Sequence, residues 1–142
     1  MNLLDRFNQQ IVGSQKKLFD YISIISPSGD FSKIQDIEVI LSSWNNILLT
    51  PTGTFPFDKD FGSNLMNFIF EPADTGTAEM IKSEIRSKLN KYDDRASITN
   101  IQINFLNNQK GFNVDIEVSY NGEKALLSAT ISESLYFQFL RQ

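Results

Sequence analysis

The hydrophobic positions change period along the chain, and each change marks an element. Leu3, Leu4, Phe7 and Ile11 form a helical stripe, and Leu18, Ile22 and Ile25 form a second one after Gly13. Pro27-Ser28-Gly29-Asp30 then breaks the chain. Residues 1–30 therefore read as a helical N-terminal extension, either folded back on the core or lying as an amphipathic arm on a neighbouring subunit. Ser32-Lys33-Ile34-Gln35 has the form of a capping box. From it Ile34, Ile37, Leu41, Trp44 and Leu48 recur at helical spacing, a seam that suits packing on the domain's own sheet or a short coiled-coil contact. Phe61, Leu65, Phe68 and Ile69 predict a short buried helix, capped by Asp58 or Asp60 and stopped by Pro72. Residues 74–77 cap a longer helix with Ala78, Ile81, Ile85, Leu89 and Tyr92 inward. Glu79, Lys82, Glu84, Arg86 and Lys88 face out, with Glu84 and Lys88 ordered as an i,i+4 pair.

Beyond that helix the period falls to two. Thr99, Ile101, Ile103 and Phe105 alternate with polar residues, and so do Phe112, Val114, Ile116, Val118 and Tyr120. Both runs predict strands with one wet face. Asn121-Gly122 is the preferred two-residue hairpin turn; it sets Tyr120 opposite Glu123, Val118 opposite Ala125, Ile116 opposite Leu127 and Val114 opposite Ala129. The apolar residues of the third strand then share a face with those of the second. The fold class is α+β: amphipathic helices on an antiparallel sheet of three strands or slightly more, with a helical N-terminal extension. Residues 31–133 make the domain. Residues 134–142 (Ser134-Leu135-Tyr136-Phe137-Gln138-Phe139-Leu140-Arg141-Gln142) make an apolar C-terminal tail that either covers the core or meets a partner. One of the outer strands is expected to be an open edge, available for strand addition.

The helices and strands are organised around residues 50–72, which hold three of the four prolines and two of the seven glycines, with five phenylalanines among them. Fixed turns and packed rings are what such a stretch predicts. Its residues Thr50, Gly53, Pro56, Phe57, Phe61, Gly62, Leu65, Phe70, Glu71 and Pro72 follow a T-x-x-G-x-x-(P)-F-x-x-x-F-G-x-x-L, F-E-P pattern. In this the chain resembles the contractile-tail baseplate wedge family, the sheath-initiator proteins of phage tails and of type VI secretion baseplates, whose members are sometimes labelled lysozyme-like. The resemblance covers about residues 34–131. Relatives end the long helix with an aromatic residue followed by Glu-Pro-Arg, a motif that contacts the helical core bundle of the wedge. Here Tyr92 and Arg95 hold the outer positions, while Asp93 and Asp94 replace Glu and Pro.

Composition narrows the chemistry. With 142 residues and 41% hydrophobic content the chain suits one domain, and twelve Phe point to interfaces as well as a core. A formal charge of −4 without a basic run argues against nucleic acid as a partner. The absence of Cys and His removes disulfides, thiol nucleophiles, His triads and the usual zinc sites. No metal or cofactor is expected. No stretch approaches the roughly 20 apolar residues of a membrane helix, and the N-terminus lacks a secretory pattern, so a soluble intracellular product without membrane contact is expected.

Asp58, Asp60, Glu71 and Asp74 form a loose acidic group around the hub. Glycoside hydrolysis needs one acid kept protonated beside another kept ionised, and nothing in this spacing separates two such roles. The expectation is no enzyme. Asp93 and Asp94 stand at the negative end of a helix dipole, an unfavourable place that calls for compensation from Arg95, Lys91 or a partner.

Two readings follow. A non-catalytic intracellular adaptor, or a chaperone-like homodimer, would use the tail and edge strand symmetrically. The resemblance implies a baseplate wedge subunit, about six copies per baseplate, in a virion tail baseplate assembled in the host cytoplasm. Its partners would be other wedge proteins, sheath protein and the tail tube or hub. The corner of Tyr92, Asp93, Asp94 and Arg95 would dock on the wedge core bundle. The strand Lys124, Ala125, Leu126, Leu127, Ser128, Ala129, Thr130 and Ile131 would pair with sheath, and proline at Leu127 or Ala129 would delete a ladder bond.

Overall fold

Strand-forming and helix-forming segments separate along the chain as the change of period requires, with an added pair of strands ahead of the first helix. A computed structural model describes residues 19–25, 31–107 and 110–134. Contacts divide the chain into Met1–Val39 and Ile40–Gln142. In the first unit β1 (Phe19–Ile25) pairs antiparallel with β2 (Phe31–Gln35), with Tyr21 opposite Lys33 and Ile22 opposite Ser32. The helical stripe expected over Leu18, Ile22 and Ile25 is therefore corrected to a strand at Ile22 and Ile25, while Leu18 lies outside the described residues. Its Tyr-Ile-Ser-Ile-Ile run is rich in residues that favour the pleat. The expected stripe of Leu3, Leu4, Phe7 and Ile11 and the break at residues 27–30 lie outside the described residues.

The capping box is corrected as well, because Ser32 and Gln35 pair within β2. The chain leaves β2 through Asp36 at φ 52, a conformation that Asp tolerates better than most residues, and enters α1 (Ile37–Leu49). In the second unit the buried face of α1 is Ile40, Trp44, Ile47 and Leu48, while Leu41 is only half-buried. The seam read from the sequence is thus rotated toward Ile40 and Ile47.

After the hub comes a 3-10 helix (Leu65–Phe70), with Leu65, Met66 and Ile69 buried. Phe61 lies outside it, in the loop. Neither Asp58 nor Asp60 caps it; the Asp58 carboxylate accepts the Asp60 N–H at 3.0 Å. The next helix, α2 (Thr75–Tyr92), follows its expected pattern: Asp74 accepts the Thr77 N–H at 2.8 Å, and Ile81, Ile85 and Leu89 are buried. Glu84 is used differently from expectation, accepting the Asn64 N–H at 2.9 Å, while Lys82 pairs with Glu79.

The sheet has the order β3 (Ser97–Phe105), β4 (Gly111–Tyr120), β5 (Glu123–Ser132), all antiparallel. Every pair expected from Asn121-Gly122 is present, and both turn residues have positive φ. One detail differs. A bulge between Ile98 and Asn100 sets Ile98 opposite Val118 and leaves Thr99 exposed, so Ile98 and not Thr99 joins the apolar face. Phe112, Val114, Ile116 and Val118 make the centre of that face, with Ile101 and Ile131 buried beside them. The 3-10 helix packs on β4 and β5, and α2 packs on β3.

Candidate functional site

The hub loop is closed at its base by backbone. Thr50 O accepts the Ser63 N–H at 2.9 Å, Ser63 O accepts the Thr52 N–H at 3.2 Å, and the buried Ser63 hydroxyl donates to Leu48 O at 2.5 Å. Gly62 makes this closure possible. Its φ is +101°, and a Cβ there would stand 2.2 Å from Thr50 O. Gly53, at φ 91, forms the turn from Pro51 to Thr54, whose N–H and hydroxyl both donate to Pro51 O. The loop is thereby held as a shaped surface rather than a slack connection.

Its rings form a chain. Phe57 meets Phe55 edge-on at 5.9 Å, Phe55 meets Phe61 at a tilt at 5.1 Å, and Phe61 meets Tyr92 edge-on at 5.2 Å. Phe57 itself is 91% exposed. Lys91 Nζ lies 5.0 Å from the Tyr92 ring centroid. The fold thus joins two segments read separately in the sequence, the Pro56-Phe57 loop and the corner at residues 92–95, into one surface. Of the other motif residues, Leu65 is buried in the 3-10 helix, while Phe70, Glu71 and Pro72 are exposed at its far end.

The corner is compensated from within the chain. Asp93 leaves the helix in an extended conformation (φ −154, ψ 90), which brings Arg95 back onto it. Arg95 Nε donates to one carboxylate oxygen at 2.6 Å and a terminal guanidinium nitrogen to the other at 2.5 Å, a bidentate pair. The Asp93 side chain is buried, and the Arg95 side chain is 38% exposed. Trp44 Nε1–H donates to Asp93 O at 3.2 Å, satisfying a carbonyl left over where α2 ends and tying α1 to the corner. Burial alone pushes the Asp93 carboxyl up. Hydrogen bonds from Arg95 and Ser43, together with the Arg95 charge, outweigh it and hold the group below the usual carboxylate range. Asp94 is exposed. Of the compensating groups the sequence offered (Arg95, Lys91 or a partner), Arg95 pairs with Asp93, through an i,i+2 contact that forms only once the helix has stopped.

A group whose folded pKa is depressed contributes stability that is present above its unfolded pKa and lost as pH falls through the folded value. Asp93→Asn is therefore expected to lower stability at pH 7 by about 1 kcal/mol, the low end for charge-assisted bonds because Arg95 is partly solvated. The difference narrows once pH falls below about 4, the unfolded carboxyl value, and is lost only below the lower folded value. Urea denaturation at pH 7 and at successively lower pH checks this.

The other candidate is β5. Among the described residues it pairs only with β4, and β3 likewise has one strand neighbour. Residues flanking a two-residue hairpin turn exchange both hydrogen bonds, and the pattern then alternates. With Tyr120 opposite Glu123, the residues Ala125, Leu127, Ala129 and Ile131 aim their N–H groups at β4. Lys124, Leu126, Ser128 and Thr130 aim theirs outward. Proline at Leu127 or Ala129 would therefore damage the sheet itself, and the positions that test the free edge are Leu126 and Ser128. On the wet face the Ser128 hydroxyl donates to Asp115 at 2.6 Å and the Thr130 hydroxyl to Asn113 at 2.8 Å; Leu126 is 59% exposed.

Of the acidic residues considered for catalysis, Asp58 closes its own turn and Asp74 caps α2 through their carboxylates, while Glu71 caps the 3-10 helix through its backbone N–H, which donates to Phe68 O. The Thr77 backbone N–H, then its hydroxyl, hold the Asp74 carboxyl below the usual range. Among the described residues no cluster of His, Cys, Asp and Glu is placed to hold a metal ion, and no helix is long and apolar enough to cross a membrane.

Residues 35–125 match the family described as baseplate wedge protein gp25. The structure is similar to a chain of the 6-fold symmetrised cryo-EM baseplate of the anti-feeding prophage, with TM-score 0.64 and 19% identity, over 89% of this chain and 94% of that one. It is also similar to a "putative tail lysozyme" from Geobacter sulfurreducens (TM-score 0.55, 19% identity, 80% of this chain and 99% of that one). A third similar structure is a chain of the post-contraction pyocin R2 baseplate (TM-score 0.53, 17% identity, 82% and 99%). No curated protein matches the sequence. At these identities the structural likenesses speak for the fold alone.

Proposed function

The chain belongs to the baseplate wedge protein gp25 family, and on that premise we propose that it is a non-catalytic subunit of a contractile-tail baseplate wedge that initiates sheath polymerisation from the outer edge of β5. Six copies around the tube supply edges at one radius and angle, and the first sheath ring pairs with them by strand addition. The observation that carries the reading is the outer edge of β5, ten residues long, held in register by the Asn121-Gly122 turn and without a second strand neighbour among the described residues. Against the wedge core bundle the chain sets its other surface, the corner at residues 92–95 together with the aromatic chain that runs from Tyr92 to the exposed Phe57. Arg95 meets the bundle already oriented by Asp93, so little order is lost on docking. The Asp74 carboxylate is taken up in capping α2, which favours assembly over glycosidase chemistry.

Ser128→Pro removes one outward N–H without taking a donor from the β4 ladder, a position where edge strands tolerate proline. Ser128→Ala controls for the lost bond to Asp115. The expected result is a folded Ser128→Pro protein that still joins the wedge and fails to seed sheath, beside a Ser128→Ala protein that seeds normally. Sheath assembly from both at equal rates would overturn the β5 assignment.

A further inference from the structure

A groove of about 480 Å³ runs between α2 and β3. Lys82, Ser83, Arg86 and Ser87 line it from the helix, and Asn100 and Ile101 line it from the strand. Lys82 with Arg86, and Ser83 with Ser87, stand one turn apart, so the helix sets two cations and two hydroxyls along the groove. Glu79, at its end, pairs with Lys82 at 2.9 Å, while Arg86 is exposed and makes no ion pair among the described residues. The groove is therefore cationic on a chain whose formal charge is −4.

β3 borders this groove with a free edge. Leu106 N–H donates to Gly111 O at 3.0 Å, and Asn104, Gln102 and Asn100 follow in steps of two, opposite Asn113, Asp115 and Glu117. Positions that exchange hydrogen bonds alternate along an antiparallel pair, so Ile101, Ile103 and Phe105 aim their N–H groups away from β4. β3 has no second strand neighbour among the described residues. Ile101 lines the groove and is 3% exposed, so its outward N–H and C=O need a partner that enters the groove. The bulge between Ile98 and Asn100 ends the regular edge at Asn100.

We propose that this edge takes an extended acidic segment of another protein, which adds to β3 as a further strand and lays its carboxylates against Arg86 and Lys82. Two features select that occupant. A backbone supplies donors and acceptors at the spacing of Ile101, Ile103 and Phe105, and a strand added about 4.8 Å beyond β3 places every second side chain toward α2. The charge there selects acids: a basic segment would meet like charge, and an apolar one would desolvate Arg86 without a partner. A carboxylate instead accepts the guanidinium fork, with the Ser83 and Ser87 hydroxyls as further donors. The site lies on the opposite edge of the sheet from β5, so it neither needs nor competes with strand addition there.

The probe is a short fluorescein-labelled peptide alternating Glu with Thr, titrated into the full chain and followed by anisotropy. Saturable binding is expected, weakening with added salt and about tenfold in Arg86→Gln, an exposed position where the change leaves the fold intact. The same peptide with Gln in place of Glu should bind the unsubstituted chain no better than the acidic peptide binds the variant. Amide exchange then locates the contact: the acidic peptide should slow exchange at Ile103 and Phe105 and leave Leu126 and Ser128 of β5 unchanged. Absence of binding, equal binding by the unsubstituted chain and Arg86→Gln, or protection at Leu126 and Ser128 instead would overturn the proposal. Ser128→Pro should bind the peptide normally, which keeps this result separate from the sheath-seeding test.

Discussion

Gly62→Ala is expected to be among the most destabilising single substitutions in this chain, costing about 3 kcal/mol or more. Two effects act at once. Alanine at φ +101 is strained wherever it stands, and its Cβ would meet Thr50 O at 2.2 Å. The atom struck is backbone, and it is the acceptor that closes the hub loop through Ser63 N–H. Relief requires the base of the loop to open, which also releases the buried Ser63 hydroxyl from Leu48 O. Gly53→Ala separates the two effects, since Gly53 has φ +91 and nothing within 4 Å of an added Cβ. It should cost only about 1–2 kcal/mol. Urea denaturation of the two variants checks this, and a Gly62→Ala protein no weaker than Gly53→Ala would contradict the closed-loop account.

Trp44→Ala is expected to cost about 3–5 kcal/mol. The indole is 1% exposed and sits on the buried face of α1, so its removal leaves a large void. It also removes the donor to Asp93 O. Trp44→Phe keeps one aromatic ring but loses the donor and part of the indole volume, and should cost about 2 kcal/mol through an unsatisfied carbonyl and a smaller void. If the hydrogen bond rather than the packing dominated, the two variants would be equally unstable in the same denaturation experiment.

What the sequence disclosed depended on how local the determining interaction was. The sheet was legible because Asn121-Gly122 permits one turn, and a two-residue turn leaves one register for β4 and β5. The long helix was legible because Asp74, the polar outer face and the buried Ile81, Ile85 and Leu89 all agree. The β1–β2 pair was not, since Leu18, Ile22 and Ile25 happen to fall at helical spacing and only the partner strand decides between the periods. The same pairing removed Ser32 and Gln35 from the helix they seemed to cap. Phe61 was misplaced into a helix because the positive φ of Gly62 cannot be read from the apolar pattern around it.

The candidate site was legible in its parts and not in its assembly. The Phe-rich loop, the strained corner and the edge strand were each visible, but the ring chain from Phe57 to Tyr92 needs the folded loop. The bidentate Asp93–Arg95 pair needs an extended residue just past the helix. Which N–H groups of β5 face outward follows from the hairpin rule applied to the observed register, and it moves the informative proline from Leu127 or Ala129 to Ser128.

The central claim is that this chain is a wedge subunit whose edge starts the sheath. Light scattering on the purified protein, alone and mixed with wedge core proteins and sheath protein, tests it most directly. The account predicts that the protein alone forms no defined dimer, joins the wedge proteins, and produces growing sheath only when wedge and sheath are both present. A stable homodimer that ignores both would contradict it.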